Sequence, residues 1–193
     1  MKIYNFGEQK SVMNRFIAEL RDKQIQKDSL RFRRNLERIG ELFAYEISKQ
    51  LKYEERDVQT PLGIAKCQFP ADKVVVASIL RAGLPLHQGV LNIFDSAQNA
   101  FIAAYRKYGK DNKFKIQMEY ATMPSIEGKT VVLVDPMLAT GSSIILAYNK
   151  ICTNGEPLHT HIVAAIASRE SLSLLSKNLP HSKVTLWVGA VDE

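Results

Sequence analysis

Thr130-Val131-Val132-Leu133-Val134-Asp135-Pro136-Met137-Leu138-Ala139-Thr140-Gly141-Ser142-Ser143 is the stretch that decides how this chain is read. A β-branched apolar run ends in an acid. A short loop of small and hydroxyl residues follows, and Ile144 to Ile151 then carries apolar residues at helical spacing. The first turn of a helix has N–H groups without intrahelical acceptors, and the macrodipole adds positive potential there, so such a loop favours an anion. Thr140, Ser142 and Ser143 add hydroxyls, and Gly141 lets a ligand approach the backbone. Asp135 does not serve a phosphate directly, but it suits sugar hydroxyls or a metal-bound water. One carboxylate beside an anion cradle points to a ribose phosphate. The loop is not a Walker loop, because no Gly-x-x-x-x-Gly-Lys-Ser/Thr occurs in the chain, and it is not a dinucleotide fingerprint.

Working outward, the same pattern repeats. Val74 to Ile79 is a continuous apolar run, as expected of a strand buried on both faces, and Leu84 to Phe94 reads as a helix with Pro85 in its first turn. Ala100 to Tyr105 and His161 to Ala167 read as strands. Arg169 to Leu179 reads as a helix stopped by Pro180, and Val184 to Val191 as a last strand. Upstream, Asp28 or Ser29 caps a long helix through residue 51 with a stripe of Phe32, Leu36, Ile39, Phe43, Ile47 and Leu51. A weaker helix spans 11–24, and Thr60-Pro61-Leu62-Gly63 marks a hairpin within 57–68. Strands alternating with helices predict an α/β fold with a mostly parallel central sheet flanked by helices. No repeat, low-complexity tract or linker divides residues 1–193, so one domain is expected.

Bulk composition bounds the function. At 46% hydrophobic residues the chain is globular, and it has no run near the roughly 18 uncharged apolar residues of a membrane span. Residues 1–8 hold no apolar signal core, and two cysteines, Cys67 and Cys152, give no disulfide framework, so a reducing cytoplasm is expected. The net charge of +6 suits a polyanionic partner, either a pyrophosphate-bearing small molecule or a nucleic acid.

Three further segments carry charge where chemistry needs it. In Ser78-Ile79-Leu80-Arg81-Ala82-Gly83-Leu84 a buried strand opens into a loop holding one arginine, which suits the terminal phosphates of a diphosphate. Tyr105 to Lys115 places five cations within eleven residues after a strand. Arg106, nearest the strand end, is the favoured ligand contact there, and the rest reads as a solvated hairpin or a mobile flap. Arg31, Arg34 and Arg38 share one face of the long helix, as a solvated face or as an effector or oligomer contact. His159 and His161 share a side if extended, but two ligands do not make a metal site, and His87 and His181 have no partners by spacing. No metal ligand set is expected.

These motifs resemble those of uracil phosphoribosyltransferases, a branch of the type I phosphoribosyltransferases. The resemblance rests on Val134-Asp135-Pro136-Met137-Leu138-Ala139-Thr140-Gly141 and on Ile79-Leu80-Arg81-Ala82-Gly83-Leu84. It extends to Arg31-Phe32-Arg33, Gly40-Glu41-Leu42 and Tyr45-Glu46, and so covers about residue 28 to the end. It implies the type I phosphoribosyltransferase fold with N-terminal helices and a small hood. It implies that uracil and 5-phosphoribosyl 1-diphosphate (PRPP) give UMP and diphosphate in pyrimidine salvage. Residues Asp135, Pro136, Met137, Leu138, Ala139, Thr140, Gly141, Ser142 and Ser143 would hold the ribose and its 5-phosphate. Arg81 and Arg106 would hold the diphosphate. Also implied are magnesium travelling with the diphosphate, a homodimer or larger homo-oligomer, GTP activation in some members, and a cis peptide at Leu80–Arg81.

Two departures accompany the resemblance. Family members commonly have Gly-Gly-Ser where this chain has Gly141-Ser142-Ser143, which is harmless if φ at Ser142 is negative. The family's base-recognition segment, resembling Tyr-Ile-Val-Pro-Gly-Leu-Gly-Asp-Ala, should follow the strand that includes Trp187, whereas the sequence ends at Val191-Asp192-Glu193. The expectation is therefore a truncated chain; were the sequence as given complete, it would be expected to bind PRPP without efficient turnover. Two alternatives stand beside the enzyme. One is a regulatory relative that binds uridine nucleotides and RNA, weakened by the absence of aromatics interleaved with the basic residues. The other is a phosphoribosyltransferase for a different base.

Overall fold

The computed structural model describes residues 1–108 and 114–193, with residues 104–108 and 114–119 described by their backbone only. Its strands are β1 (Lys2–Asn5), β2 (Tyr53–Thr60), β3 (Gly63–Pro70), β4 (Val74–Leu80), β5 (Gln98–Tyr108), β6 (Phe114–Thr122), β7 (Thr130–Val134), β8 (Met137–Leu138), β9 (His159–Ser168) and β10 (Val184–Asp192). Its α-helices are α1 (Met13–Arg21), α2 (Ser29–Ser48), α3 (Leu84–Ile93), α4 (Ser142–Cys152) and α5 (Arg169–Asn178). The main sheet runs β1-β10-β9-β7-β4-β5-β6, with β8 paired to β9. Every pairing in it is parallel except β5 with β6. The predicted α/β fold with a mostly parallel sheet is what the chain adopts.

The apolar runs explain why the strands are central. Alternate residues enter two cores on opposite faces. Val76, Val132, Val134 and Val163 pack with Leu36, Ile39 and Phe43 of α2 and with Leu86 and Val90 of α3. Val75, Ala77, Val131, Leu133 and Ile162 pack with Ile144, Ala147 and Ile151 of α4 and with Leu175 of α5. A strand buried on both faces has no reason to alternate, which is what the continuous runs encode. Asp28 caps α2, its carboxylate accepting from the N–H groups of Leu30 and Arg31. The predicted hairpin is β2–β3, a separate antiparallel pair closed by Pro61 and Leu62. Among the described residues no helix is long and apolar enough to cross a membrane.

Three strands escaped the sequence reading. β1 is four residues long and draws its stability from β10, alongside which Tyr4 stacks on Trp187 at 4.3 Å. β8 has two residues. β6 lies partly within the cationic segment, whose charge count hid its strand. The 11–24 helix contracts to α1, at whose start Val12 is 57% exposed while Met13 enters the core. Residues 109–113, the centre of the flap reading, and the side chain of Arg106 lie outside the described residues.

Candidate active site

β4 and β7 are neighbours, and Ser78 lies opposite Val134, so the loops that leave their carboxyl ends start side by side. Their crossovers then part. From β4 the chain passes through α3 on one face to β5; from β7 it passes through α4 on the other face to β9, in the opposite direction along the sheet. The strand order reverses between β4 and β7, and the reversal opens a crevice at the carboxyl edge where α/β sheets take ligands. Both sequence-predicted loops, Ile79–Leu84 and Asp135–Ser143, fall at that edge.

The first loop carries the cis peptide at Leu80–Arg81 that the resemblance implied. The Gly83 N–H donates to Ile79 O at 3.1 Å. A Cβ on Gly83 would meet Ser78 Oγ at 2.3 Å and Ile79 O at 2.7 Å, so only glycine fits beneath this turn. Arg81 is exposed on the loop. Ser78 Oγ is fully buried and has no hydrogen-bond partner among the described residues.

The second loop is held by β9. The Asp135 N–H donates to Val163 O at 3.1 Å, and Pro136 O accepts from the N–H groups of Ala165 (3.1 Å) and Ile166 (3.2 Å). Met137 and Leu138 then pair as β8 with Ile166 and Ala167. Ala139 O accepts from Ser168 Oγ at 2.5 Å. Asp135 is half-buried, and burial pushes its carboxyl from the ordinary 3.8 up to about 6, opposed by a hydrogen bond from the Met137 N–H. The group is thus an ionised carboxylate near neutral pH with poor solvation.

The positive φ of 82° falls on Gly141, and Ser142 opens α4 with helical geometry, so the Gly-Gly-Ser departure is accommodated. The N-cap residue of α4, Gly141, has no side chain to offer; the Ser142 N–H reaches Thr140 Oγ1 at 3.4 Å, and the first helical hydrogen bond runs from the Ile145 N–H to Gly141 O. Thr140 Oγ1 meets Ser142 Oγ at 3.2 Å, so the loop's hydroxyls cluster at the open helix end. By contrast α2 and α5 are capped by Asp28 and Ser168.

The other candidates lie apart from this constellation. Arg31 bonds Glu19 at 3.3 Å, Arg34 bonds Glu37 at 2.6 Å, and Arg38 donates to Asn35 at 3.2 Å while stacking over Phe16. These arginines tie α2 to α1 and to itself. Among the described residues no three His, Cys, Asp or Glu converge as a metal set. A cavity of about 690 Å³ lies at the other edge of the sheet, lined by Leu51, Arg56, Asp72, Lys73 and Lys129. It meets the carboxyl end of α3 at Ile93 and Phe94, where the dipole disfavours anions. Sequence reading quoted Ser78 without giving it a role and missed Ser168 and Leu175. Of these only Ser168 carries a signal, a serine immediately before a predicted helix.

Against known proteins, residues 8–193 match the family model described as uracil phosphoribosyltransferase. The uracil phosphoribosyltransferase of Porphyromonas gingivalis is 50% identical over 192 residues, covering 100% of this chain and 88% of that protein. That of Thermococcus gammatolerans is 33% identical over 193 residues, covering 98% and 83%. Among solved structures, the AQ2163 protein from Aquifex aeolicus superposes with a TM-score of 0.85 at 28% identity, covering 99% of this chain and 88% of the other. A purine phosphoribosyltransferase from Pyrococcus horikoshii shares the fold at TM-score 0.53 and 12% identity, covering 81% of this chain and 86% of that one.

Proposed function

The chain belongs to the uracil phosphoribosyltransferase family, and from that premise we propose that its chemistry runs in the crevice between the loops after β4 and β7. The reaction is transfer of a phosphoribosyl group from PRPP to uracil, giving UMP and diphosphate in pyrimidine salvage. The observation that carries the placement is the reversal of strand order between β4 and β7. It sets an arginine loop beside a helix start with a glycine N-cap and a lone, poorly solvated carboxylate.

Each residue then has a physical task. Thr140, Gly141, Ser142 and Ser143 anchor the 5-phosphate through hydroxyls and free N–H groups of the first turn of α4. Pro136, Met137, Leu138 and Ala139 shape the loop along the ribose. This remote binding energy positions the anomeric carbon. Asp135 accepts hydrogen bonds from ribose hydroxyls, and its charge opposes the positive charge that builds on the ring as the C1–O bond to diphosphate breaks. A carboxylate in a low-dielectric setting does this better than a solvated one. Arg81 and Arg106 neutralise the departing diphosphate. Uracil N1 bonds to C1 and its acidic proton leaves, with no dedicated base assigned.

Magnesium fits this reading as a cation brought by the diphosphate. Among the described residues of the two loops Asp135 is the one carboxylate, which suits a hard ion that keeps most of its ligands from phosphate and water. When bound, it supplies charge neutralisation on the leaving group. A GTP effector at Arg31, Arg34 and Arg38 has weaker support, because their head groups already bond Glu19, Glu37 and Asn35. A homo-oligomer is supported by the hairpin tip, where Leu62 is 100% and Ile64 70% exposed. Both cysteines are free thiols, which fits a cytoplasmic setting.

The test is a panel of pyrimidine and purine bases with radiolabelled PRPP, run on the wild type and Asp135→Lys. Uracil-dependent label transfer that vanishes in the variant is expected. Near-normal turnover by the variant rejects the role given to Asp135.

A further inference from the structure

We propose that Ser168 is a positioning residue for the 5-phosphate, acting through the Ala139 carbonyl. The proposal rests on the reading that the Asp135–Ser143 loop holds ribose 5-phosphate. Backbone pairing of β8 with β9 ends at Leu138 opposite Ala167. One residue further on, the ladder continues through a side chain: Ser168 Oγ donates to Ala139 O at 2.5 Å. The same oxygen accepts from the Ser171 N–H at 3.0 Å as the N-cap of α5, and Ser171 Oγ returns to Ser168 O at 2.8 Å. One hydroxyl therefore joins the start of α5 to the middle of the anion loop.

The consequence follows from the planarity of the peptide unit. Ala139 C=O and Thr140 N–H belong to one trans peptide and point in opposite directions. A carbonyl tethered toward α5 turns the Thr140 N–H away from α5, as a fixed donor in the loop that needs donors. The next contact reinforces the same docking. A Cβ on Gly141 would meet Leu175 Cγ at 3.2 Å and Ser171 O at 3.3 Å, so the loop already lies tight against α5. Without the tether the peptide is free to rotate and must be reordered by each ligand, which lowers affinity without touching the reacting carbon.

Three variants separate the tether from the helix cap. Ser168→Gly keeps most of the capping preference and Ser168→Ala loses it, while neither has the hydroxyl; Ser168→Thr keeps both functions. Calorimetry with ribose 5-phosphate and steady-state kinetics give the readouts. In the Gly and Ala forms, ribose 5-phosphate affinity should fall and KM for PRPP should rise by about tenfold, the worth of one lost hydrogen bond, with kcat within about twofold. KM for uracil should hold, and Ser168→Thr should stay within about threefold of wild type. Unchanged affinity in Ser168→Gly overturns the proposal. So does a loss confined to Ser168→Ala, since that follows capping alone. Turnover of PRPP by the wild type, together with undiminished ribose 5-phosphate affinity in a Gly141→Ala/Ser142→Ala variant, refutes the underlying loop assignment instead.

Discussion

At the amino end of the central sheet the ionisable groups under burial are imidazoles, paired and neutral; at the carboxyl end the group under burial is a carboxylate, poorly solvated and ionised. His161, 4% exposed, accepts the Trp187 indole N–H at 3.1 Å, and His159 meets Thr185 Oγ1 at 2.9 Å. Burial pushes His161 down to about 3 and lowers His159, so both rings are uncharged at neutral pH. At the other end, burial pushes Asp135 up to about 6, leaving its carboxyl mostly ionised at pH 7. There the N-cap of α4 is a glycine with no side chain to offer, whereas buried hydroxyls without a partner occur at both ends, Ser78 Oγ here and Thr160 Oγ1 beside His161, and do not distinguish them. The same desolvation therefore acts on opposite chemistry. Neutral imidazoles suit a dry interior, and a carboxylate does not. A fold that leaves donors and a carboxylate unsatisfied at one end has that end prepared for a ligand.

The comparison breaks most visibly at Asp135. Asp135→Asn should cut kcat by about a thousandfold, the scale of removing one preorganised electrostatic group. It should also stabilise the ligand-free protein. The folded-state value of about 6 lies above the ordinary 3.8. The wild type thus pays nothing below about pH 4, loses stability as pH rises through 6, and carries the full cost above it, about 1–3 kcal/mol. The melting temperature of Asp135→Asn should exceed wild type at pH 8 and coincide with it at pH 4. In the wild type, kcat/KM should fall as pH drops through about 6. A variant equal in stability at both pH values would remove the claim that this carboxyl is poorly solvated.

Smaller effects sharpen the comparison at the two loops. Arg81→Ala should raise KM for PRPP by about 10–100-fold while KM for uracil holds, because a charge-assisted contact to phosphate is lost from a side chain that is exposed on the loop. Gly141→Ala forces a side chain to φ 82° and against Leu175 at 3.2 Å. A loss of about 1–3 kcal/mol in denaturant unfolding is expected, together with weaker PRPP binding.

Both loops were legible in the sequence because their demands are local: an acid at a strand end, glycine where φ is positive or a Cβ would collide, hydroxyls at a helix start. The buried runs gave the parallel sheet for the same reason. What was hidden depends on distance. β1 is a strand only because β10 lies beside it, and a four-residue Lys-Ile-Tyr-Asn segment does not encode its partner. The tether of Ser168 to Ala139 spans 29 positions, and the hydrogen bond from the Trp187 indole to His161 spans 26. The reversal of strand order that opens the crevice is likewise a property of the connections and not of any one segment.

The least disruptive test is at the amino end, where the prediction is damage without loss of catalysis. His161→Phe keeps an aromatic ring, slightly larger than the imidazole, and removes the acceptor, leaving the Trp187 N–H, on a residue 1% exposed, without its partner. A loss of about 1–3 kcal/mol in unfolding free energy is expected, with kcat and both KM values unchanged within error. The pH dependence must run opposite to that of Asp135. The folded value of His161 is depressed below 6.5, so its contribution is present above that pH and is lost as pH falls toward 3. Part of the wild type's decline in acid should therefore be missing in His161→Phe, while the change around pH 6 that Asp135 causes remains. If His161→Phe instead altered KM for PRPP, the two ends would be coupled through β7 and β9, and the division between a neutral end and a working end would fail.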